Sequence, residues 1–114
     1  MSVDIYHNPR CSKSRQTLEI LIQRNITPRV IKYLETPPNI DELKSLMVKL
    51  GITQVREMMR TKEVLYKELG LASADDETLL KAIAAHPKLL ERPIVVSNNK
   101  AKLGRPPEQV IEIL

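Results

Sequence analysis

The sequence predicts an α/β fold with a mixed sheet, in which a βαβ unit is followed by an all-helical block and then a ββα unit. Three observations predict it. Strand-like chemistry recurs at three separated places, in Val3-Asp4-Ile5-Tyr6, in Arg29-Val30-Ile31-Lys32-Tyr33-Leu34 and in Pro93-Ile94-Val95-Val96-Ser97. Apolar residues at three- and four-residue spacing fill the stretch between the first two, as an amphipathic helix requires. Between the second and third lies a long segment punctuated by Gly51, Gly70 and Pro87, with helical patterning and no strand chemistry.

The first strand, over 3–6, alternates apolar and polar side chains. His7-Asn8-Pro9-Arg10 interrupts it, because Pro and Asn favour turns. A helix is predicted over 12–24 with Leu18, Leu21 and Ile22 on its inner face and Asn25 as its stop. The β-branched run over 29–34 gives the second strand. After Pro37-Pro38, Asn39 and Glu42 have the spacing of a reciprocal cap, opening a helix through Leu50 that Gly51 closes. Thr53 is placed to cap a short helix carrying Val55, Met58 and Met59. Further helical pieces are predicted over 64–69 and 77–86, the latter ending before Pro87. The third strand, the Asn98-Asn99 turn and Lys100-Ala101-Lys102-Leu103 form a hairpin. Pro106-Pro107 then begins a last helix with Val110, Ile111 and Leu114 inward. That order is the arrangement of a thioredoxin-like fold in one domain over 1–114, with a helical insertion at about 39–88. Such folds place a cis-proline at the head of the third strand, which is Pro93 here.

Composition bounds the function. At 114 residues, 42% apolar and 28% charged, the chain can bury a core and is not disordered. It has no Phe or Trp and only three Tyr, which counts against the aromatic stacking platforms of single-stranded nucleic-acid binders. The longest unbroken apolar run, 82–85, is far short of the ~20 residues that span a bilayer, and the N-terminal residues lack a signal-peptide pattern. A single cysteine forms no internal disulfide, so the expected setting is the cytoplasm. The net charge of +4 suits an anionic small molecule, an acidic partner or simple solubility. No nucleic acid, membrane or metal is expected as a partner, and the chain is expected to be a monomer.

Cys11 carries the chemistry. It falls in the loop between the first strand and the first helix, which puts its sulfur at a helix N-terminus. Unpaired backbone N–H groups and the helix dipole there favour thiolate and can hold an oxyanion against it. His7, Arg10, Lys13 and Arg15 are expected to add positive charge. Position 14 is Ser, so the C-x-x-C pair of thioredoxins is absent and reducing equivalents must come from outside. Thr17 stands where a low-molecular-weight tyrosine phosphatase has its arginine, which excludes that loop. His86 before Pro87 is read as a helix cap, Met47, Met58 and Met59 as core, and Lys100, Lys102 and Arg105 as a charged hairpin edge that discourages aggregation.

Four ordered blocks resemble the glutaredoxin-dependent arsenate reductases (ArsC type): His7-Asn8-Pro9-Arg10-Cys11-Ser12-Lys13-Ser14-Arg15, Tyr33-Leu34-Glu35-Thr36-Pro37, Arg92-Pro93-Ile94-Val95-Val96 and Gly104-Arg105-Pro106-Pro107. The likeness runs from Asp4 to Leu114. It implies that Cys11 is the nucleophile that attacks arsenate, that glutathione then enters, and that a glutaredoxin resolves the mixed disulfide. It implies that His7 lowers the cysteine's pKa, that the Ser14 hydroxyl bonds the thiolate or a bound oxygen, and that Arg60, Arg92 and Arg105 hold the oxyanion. Asn8, Arg15 and Pro93 are expected to support the site. Guanidinium forks suit a multiply charged oxyanion because they donate in a plane and keep their charge. No tightly bound cofactor is expected; glutathione is a co-substrate.

Two departures bear on substrate. Arg10, Ser12 and Lys13 replace the small residues of the A-C-G-T-S pattern of characterised members, and the chain ends at Leu114 without their longer tail. Three alternatives therefore stay open: a reductase of another oxyanion or thiol substrate, a module that holds a thiol adduct without turnover, and a non-enzymatic regulator that binds RNA polymerase as Spx-type proteins of this superfamily do. Ser14 in place of a second cysteine argues against the Spx-type redox switch.

Overall fold

The computed structural model describes residues 2–114. Strand β1 (Val3–Tyr6) leads through a loop into helix α1 (Ser12–Gln23) and strand β2 (Arg29–Ile31). Helices α2 (Ile40–Leu50), α3 (Val64–Glu68) and α4 (Asp76–Ala85) follow, then strands β3 (Ile94–Ser97) and β4 (Lys100–Leu103) and a 3₁₀ helix at Pro107–Ile113. The sheet order is β2-β1-β3-β4. β1 runs parallel to β2 and antiparallel to β3, and β3 pairs antiparallel with β4. This is the thioredoxin-like arrangement, with all three α-helices of the insertion between β2 and β3.

Alternation along the strands divides the core. Val3, Ile5 and Val95 face one side, packed with Leu21 of α1 and with Val110 and Ile113 of the C-terminal 3₁₀ helix. Tyr6 and Ile94, from the opposite faces of the same strands, join Leu43, Leu46, Met58, Leu79 and Ile83 of the helical insertion. Met58 and Met59 are buried core residues, and the partly buried Met47 packs against the same cluster.

Local chemistry sets the boundaries. Asn39 accepts from the Glu42 N–H at 2.8 Å while Glu42 accepts from the Asn39 N–H at 3.0 Å, the reciprocal cap expected for α2. Gly51 closes that helix at φ 72°, a left-handed conformation that side chains disfavour. Asn98 and Asn99 both take positive φ, 55° and 61°, and so match the twist of a tight hairpin. His86 is the C-cap of α4, donating its backbone N–H to the Ala82 carbonyl at 2.8 Å. β4 is the sheet edge, where Lys102 pairs with Glu112 at 3.1 Å.

Four sequence expectations are corrected. β2 stops at Ile31, because β1 offers no ladder beyond Tyr6; the chain turns at Lys32, whose carbonyl accepts from Glu35 and Thr36 at 2.9 Å, and Tyr33 dips into the core. The inward stripe of α1 is Ser14, Thr17 and Leu21, whereas Ile22 is 52% exposed. The short helix at Val55–Met58 is 3₁₀ and is closed by Glu57, whose carboxylate accepts from the Thr53 and Gln54 N–H groups; the Thr53 side chain caps nothing. The last helix is 3₁₀ rather than α. Its three-residue turn puts Pro107, Val110 and Ile113 inward and leaves Ile111 38% exposed. Among the described residues no helix is long and apolar enough to cross a membrane.

Candidate active site: a cysteine at a helix N-terminus and an arginine cleft

Cys11 is the N-cap of α1, half-buried, with extended backbone at φ −94° and ψ 123°. Its own N–H donates to the Asn8 carbonyl and its carbonyl accepts from Arg15, both at 3.0 Å, which fixes the loop onto the first helical turn. The side chain closes no cap bond. Burial opposes its ionisation. The backbone N–H of Ser14, the Arg92 guanidinium, the backbone N–H of Lys13 and the Arg105 guanidinium outweigh that penalty, so the thiol is held below its ordinary value. The sulfur therefore sits where the first orphan amides of the helix meet two cations from the far end of the chain.

Ser14, His7 and Asn8 lock the loop from beneath. The Ser14 hydroxyl accepts from the Asn8 N–H at 3.0 Å and lies 2.6 Å from His7 Nδ1, both residues being buried. Burial first, then Lys32 and Arg15, hold the imidazole below its ordinary pKa, so His7 is neutral near pH 7. With Nδ1 as acceptor, the Ser14 O–H donates to it and the network is complete. His7 is therefore no positive charge beside Cys11, and the Ser14 hydroxyl bonds His7 and Asn8 while its backbone N–H favours the thiolate. Arg15 is exposed and donates to the Pro9 carbonyl at 3.0 Å, which braces the loop, and the largest charges bearing on Cys11 are Arg92 and Arg105.

Arg60, Arg92 and Arg105 line one open cleft of about 370 Å³. Arg60 reaches it although it lies in the helical insertion. Its N–H donates to the Leu89 carbonyl and the Glu91 N–H donates to the Met58 carbonyl, each at 2.8 Å, with an antiparallel bridge between Met59 and Leu90. That short pairing sews 58–60 to 89–91, directly before Arg92. Arg105 is brought in by the β4 end, where the Gly104 N–H donates to the Pro93 carbonyl at 3.0 Å and Arg105 Nη1 donates to the Arg92 carbonyl at 3.2 Å. Gly104 is needed for that approach: a Cβ there would stand 2.5 Å from Thr17 Oγ1 and 2.7 Å from Pro93 Cγ. The Arg92–Pro93 bond is cis, as expected, and the Arg105–Pro106 bond is cis as well, which was not.

Three residues that the sequence reading passed over belong to this site. Glu63 pairs with Arg60 at 3.1 Å and with Lys88 at 3.5 Å. Glu91 pairs with Arg92 at 3.1 Å and stands 4.0 Å from Arg105. Tyr33 is fully buried. Its hydroxyl, pushed up to about 12 by burial against the influence of Arg92, Arg60 and the Asn8 side chain, has no hydrogen-bond partner, nor has the buried Nε of Arg92. The sequence signals were adjacency for Glu91, which precedes Arg92-Pro93, and membership of a quoted block for Tyr33. Cys11 itself is not among the residues lining the cleft, but Arg92 and Arg105 bear on both. Chemically, a thiolate-favouring cysteine acted on by two guanidinium groups can attack an electrophilic oxyanion whose oxygens those groups hold.

A profile of the ArsC family matches residues 6–113. The chain belongs to the ArsC family. This ArsC-family chain is 56% identical to an uncharacterized protein of Escherichia coli, YfgD, over 98% of the chain and 96% of that protein. It is 54% identical to an arsenate reductase of Neisseria meningitidis serogroup B, over 98% of the chain and 97% of the relative. Among solved structures, an arsenate reductase from Vibrio cholerae superposes with a TM-score of 0.97 at 61% identity, covering 100% of this chain and 98% of that one.

Proposed function

We propose that this ArsC-family chain is an oxidoreductase that reduces arsenate to arsenite through Cys11, with glutathione and a glutaredoxin as the source of electrons. The observation that carries the reading is the meeting of a thiolate-favouring Cys11 with Arg92 and Arg105, which also line the arginine cleft. The names of full-length relatives and of the Vibrio cholerae structure support arsenate as the substrate.

In the reaction, arsenate enters with its oxygens on Arg60, Arg92 and Arg105. The Cys11 thiolate attacks arsenic, an S–As bond forms, and one arsenate oxygen leaves as water after protonation. The glutathione thiolate then attacks the Cys11 sulfur. The S–As bond breaks with its electron pair going to arsenic, so As(V) becomes As(III) and leaves as arsenite while the two thiols become a mixed disulfide. A glutaredoxin thiol takes the glutathione and regenerates Cys11. With one cysteine in the chain, the resolving thiol must come from another molecule, and a reducing compartment such as the cytoplasm provides it.

Intact-mass measurement tests this sequence of steps. Incubation with glutathione should give the Cys11–glutathione adduct only when arsenate is also present, and none with Cys11→Ser. An adduct that forms at the same rate without arsenate contradicts the reading.

A further inference from the structure

The arginine cleft carries carboxylates that an anion site does not need for charge. Its lining includes four cationic side chains, Arg60, Lys62, Arg92 and Arg105, and two anionic ones, Glu63 and Glu91, leaving a formal +2. Glu91 is placed unlike an ordinary surface partner. One of its carboxylate oxygens lies 3.1 Å from Arg92 Nη1 and the other 4.0 Å from Arg105 Nε, so the two oxygens span two guanidinium groups much as two oxygens of a bound oxyanion would. Those are the two cations that also bear on Cys11. The Glu91 backbone is pinned by its N–H bond to the Met58 carbonyl, and its side chain is 24% exposed. The carboxylate can therefore leave the guanidinium groups for water by side-chain rotation alone.

We propose that Glu91 is an internal competitor: its carboxylate occupies Arg92 and Arg105 in the free protein and competes with the incoming oxyanion for them. This rests on the cleft being the oxyanion site. Displacing Glu91 costs the same whichever anion enters, so it raises the threshold for every anion by one factor, and a doubly charged oxyanion meets that threshold at lower concentration than a singly charged one because its own attraction to the arginines is larger. Phosphate and sulfate share charge and shape with arsenate, so Glu91 separates none of the three. Choosing arsenic among dianions falls to the attack by Cys11.

The test is equilibrium binding of arsenate, sulfate and nitrate by calorimetry at low ionic strength, with Cys11→Ser alone and with Cys11→Ser combined with Glu91→Gln. The serine background removes covalent chemistry, and Gln keeps the shape of Glu. Competition predicts that Glu91→Gln tightens arsenate, sulfate and nitrate binding by a common factor of at least about five, ~1 kcal/mol. Damage to the site cannot produce tightening. Unchanged or weaker arsenate binding in Glu91→Gln makes Glu91 a scaffold for the arginine forks and overturns the inference while leaving the cleft as the oxyanion site. Arsenate binding to neither protein removes the cleft from the proposed function, and the inference with it.

Discussion

The Nδ1 atom of His7 lies 2.6 Å from the Ser14 hydroxyl, and this buried bond ties the end of β1 to the first turn of α1 on either side of Cys11. It makes the two residues a clamp on the loop and leaves the charge on the sulfur to Arg92, Arg105 and the helix amides. Ser14→Ala leaves a buried imidazole nitrogen unpaired, so a stability loss of roughly 1–3 kcal/mol is expected in urea unfolding. The Cys11 thiolate, followed by its ultraviolet absorbance, should titrate nearly as in the wild type. A thiolate midpoint moved as far by Ser14→Ala as by loss of Arg92 would contradict this division of labour.

The same two groups set a pH dependence of stability. His7 has a folded pKa below its unfolded 6.5, so the unfolded state binds more protons and stability falls as pH drops below that value. Cys11 has a folded pKa below its unfolded 9.0; its contribution is present above that value and is lost as pH falls through the folded pKa. Both groups make stability rise with pH. Cys11→Ser should flatten the alkaline part of the rise and keep the part below pH 6.5, which denaturation midpoints across pH will read.

The three arginines should separate by experiment. Arg92 and Arg105 are the largest charges acting on Cys11, whereas Arg60 bears on Tyr33 and lines the cleft. Arg92→Ala is expected to raise the thiol's pKa and slow iodoacetamide alkylation at neutral pH several-fold. Arg60→Ala should leave alkylation unchanged and weaken oxyanion binding alone. Equal slowing by both substitutions would show that the cleft acts on the thiol as one undivided field.

The parts of this architecture that were legible in the sequence are those fixed by local chemistry. Asn39 with Glu42, Gly51, and Asn98-Asn99 each need only a few neighbours to declare a cap or a turn, and the loop between β1 and α1 located Cys11 the same way. What was hidden depends on partners distant in sequence. Arg60 joins Arg92 only through the pairing of 58–60 with 89–91. Whether His7 is charged depends on its burial and on Lys32. Glu91 reads as a solvated carboxylate until Arg105 is brought beside it. The helical period also misassigned the last element, because a 3₁₀ turn shifts the inward face from Ile111 to Ile113.

Gly104→Ala should disturb the site without touching a charged group. The new Cβ would meet Thr17 Oγ1 and Pro93 Cγ within 2.7 Å, forcing α1 and the start of β3 apart. A loss of roughly 1–3 kcal/mol is expected, the usual cost of overpacking. A higher thiol pKa should accompany it as Arg105 withdraws from Cys11. Wild-type stability and thiolate titration in this variant would mean that the junction yields freely.

Tyr33→Phe removes a buried hydroxyl with no hydrogen-bond partner. Because an unsatisfied buried donor is costly, the free protein should be as stable as the wild type or more so, by up to ~1 kcal/mol. Marked destabilisation in urea unfolding would instead reveal a bond between the hydroxyl and Asn8 that is strong in solution.

Turnover of arsenate by Cys11 at the arginine cleft is measured by NADPH oxidation coupled through glutathione reductase, glutaredoxin and glutathione, comparing wild type with Cys11→Ser across arsenate concentrations. Oxidation that saturates with arsenate in the wild type and is absent from Cys11→Ser is expected. Equal rates in the two proteins, or no arsenate-dependent oxidation while Cys11 still titrates as a thiolate below its ordinary value, would contradict that turnover.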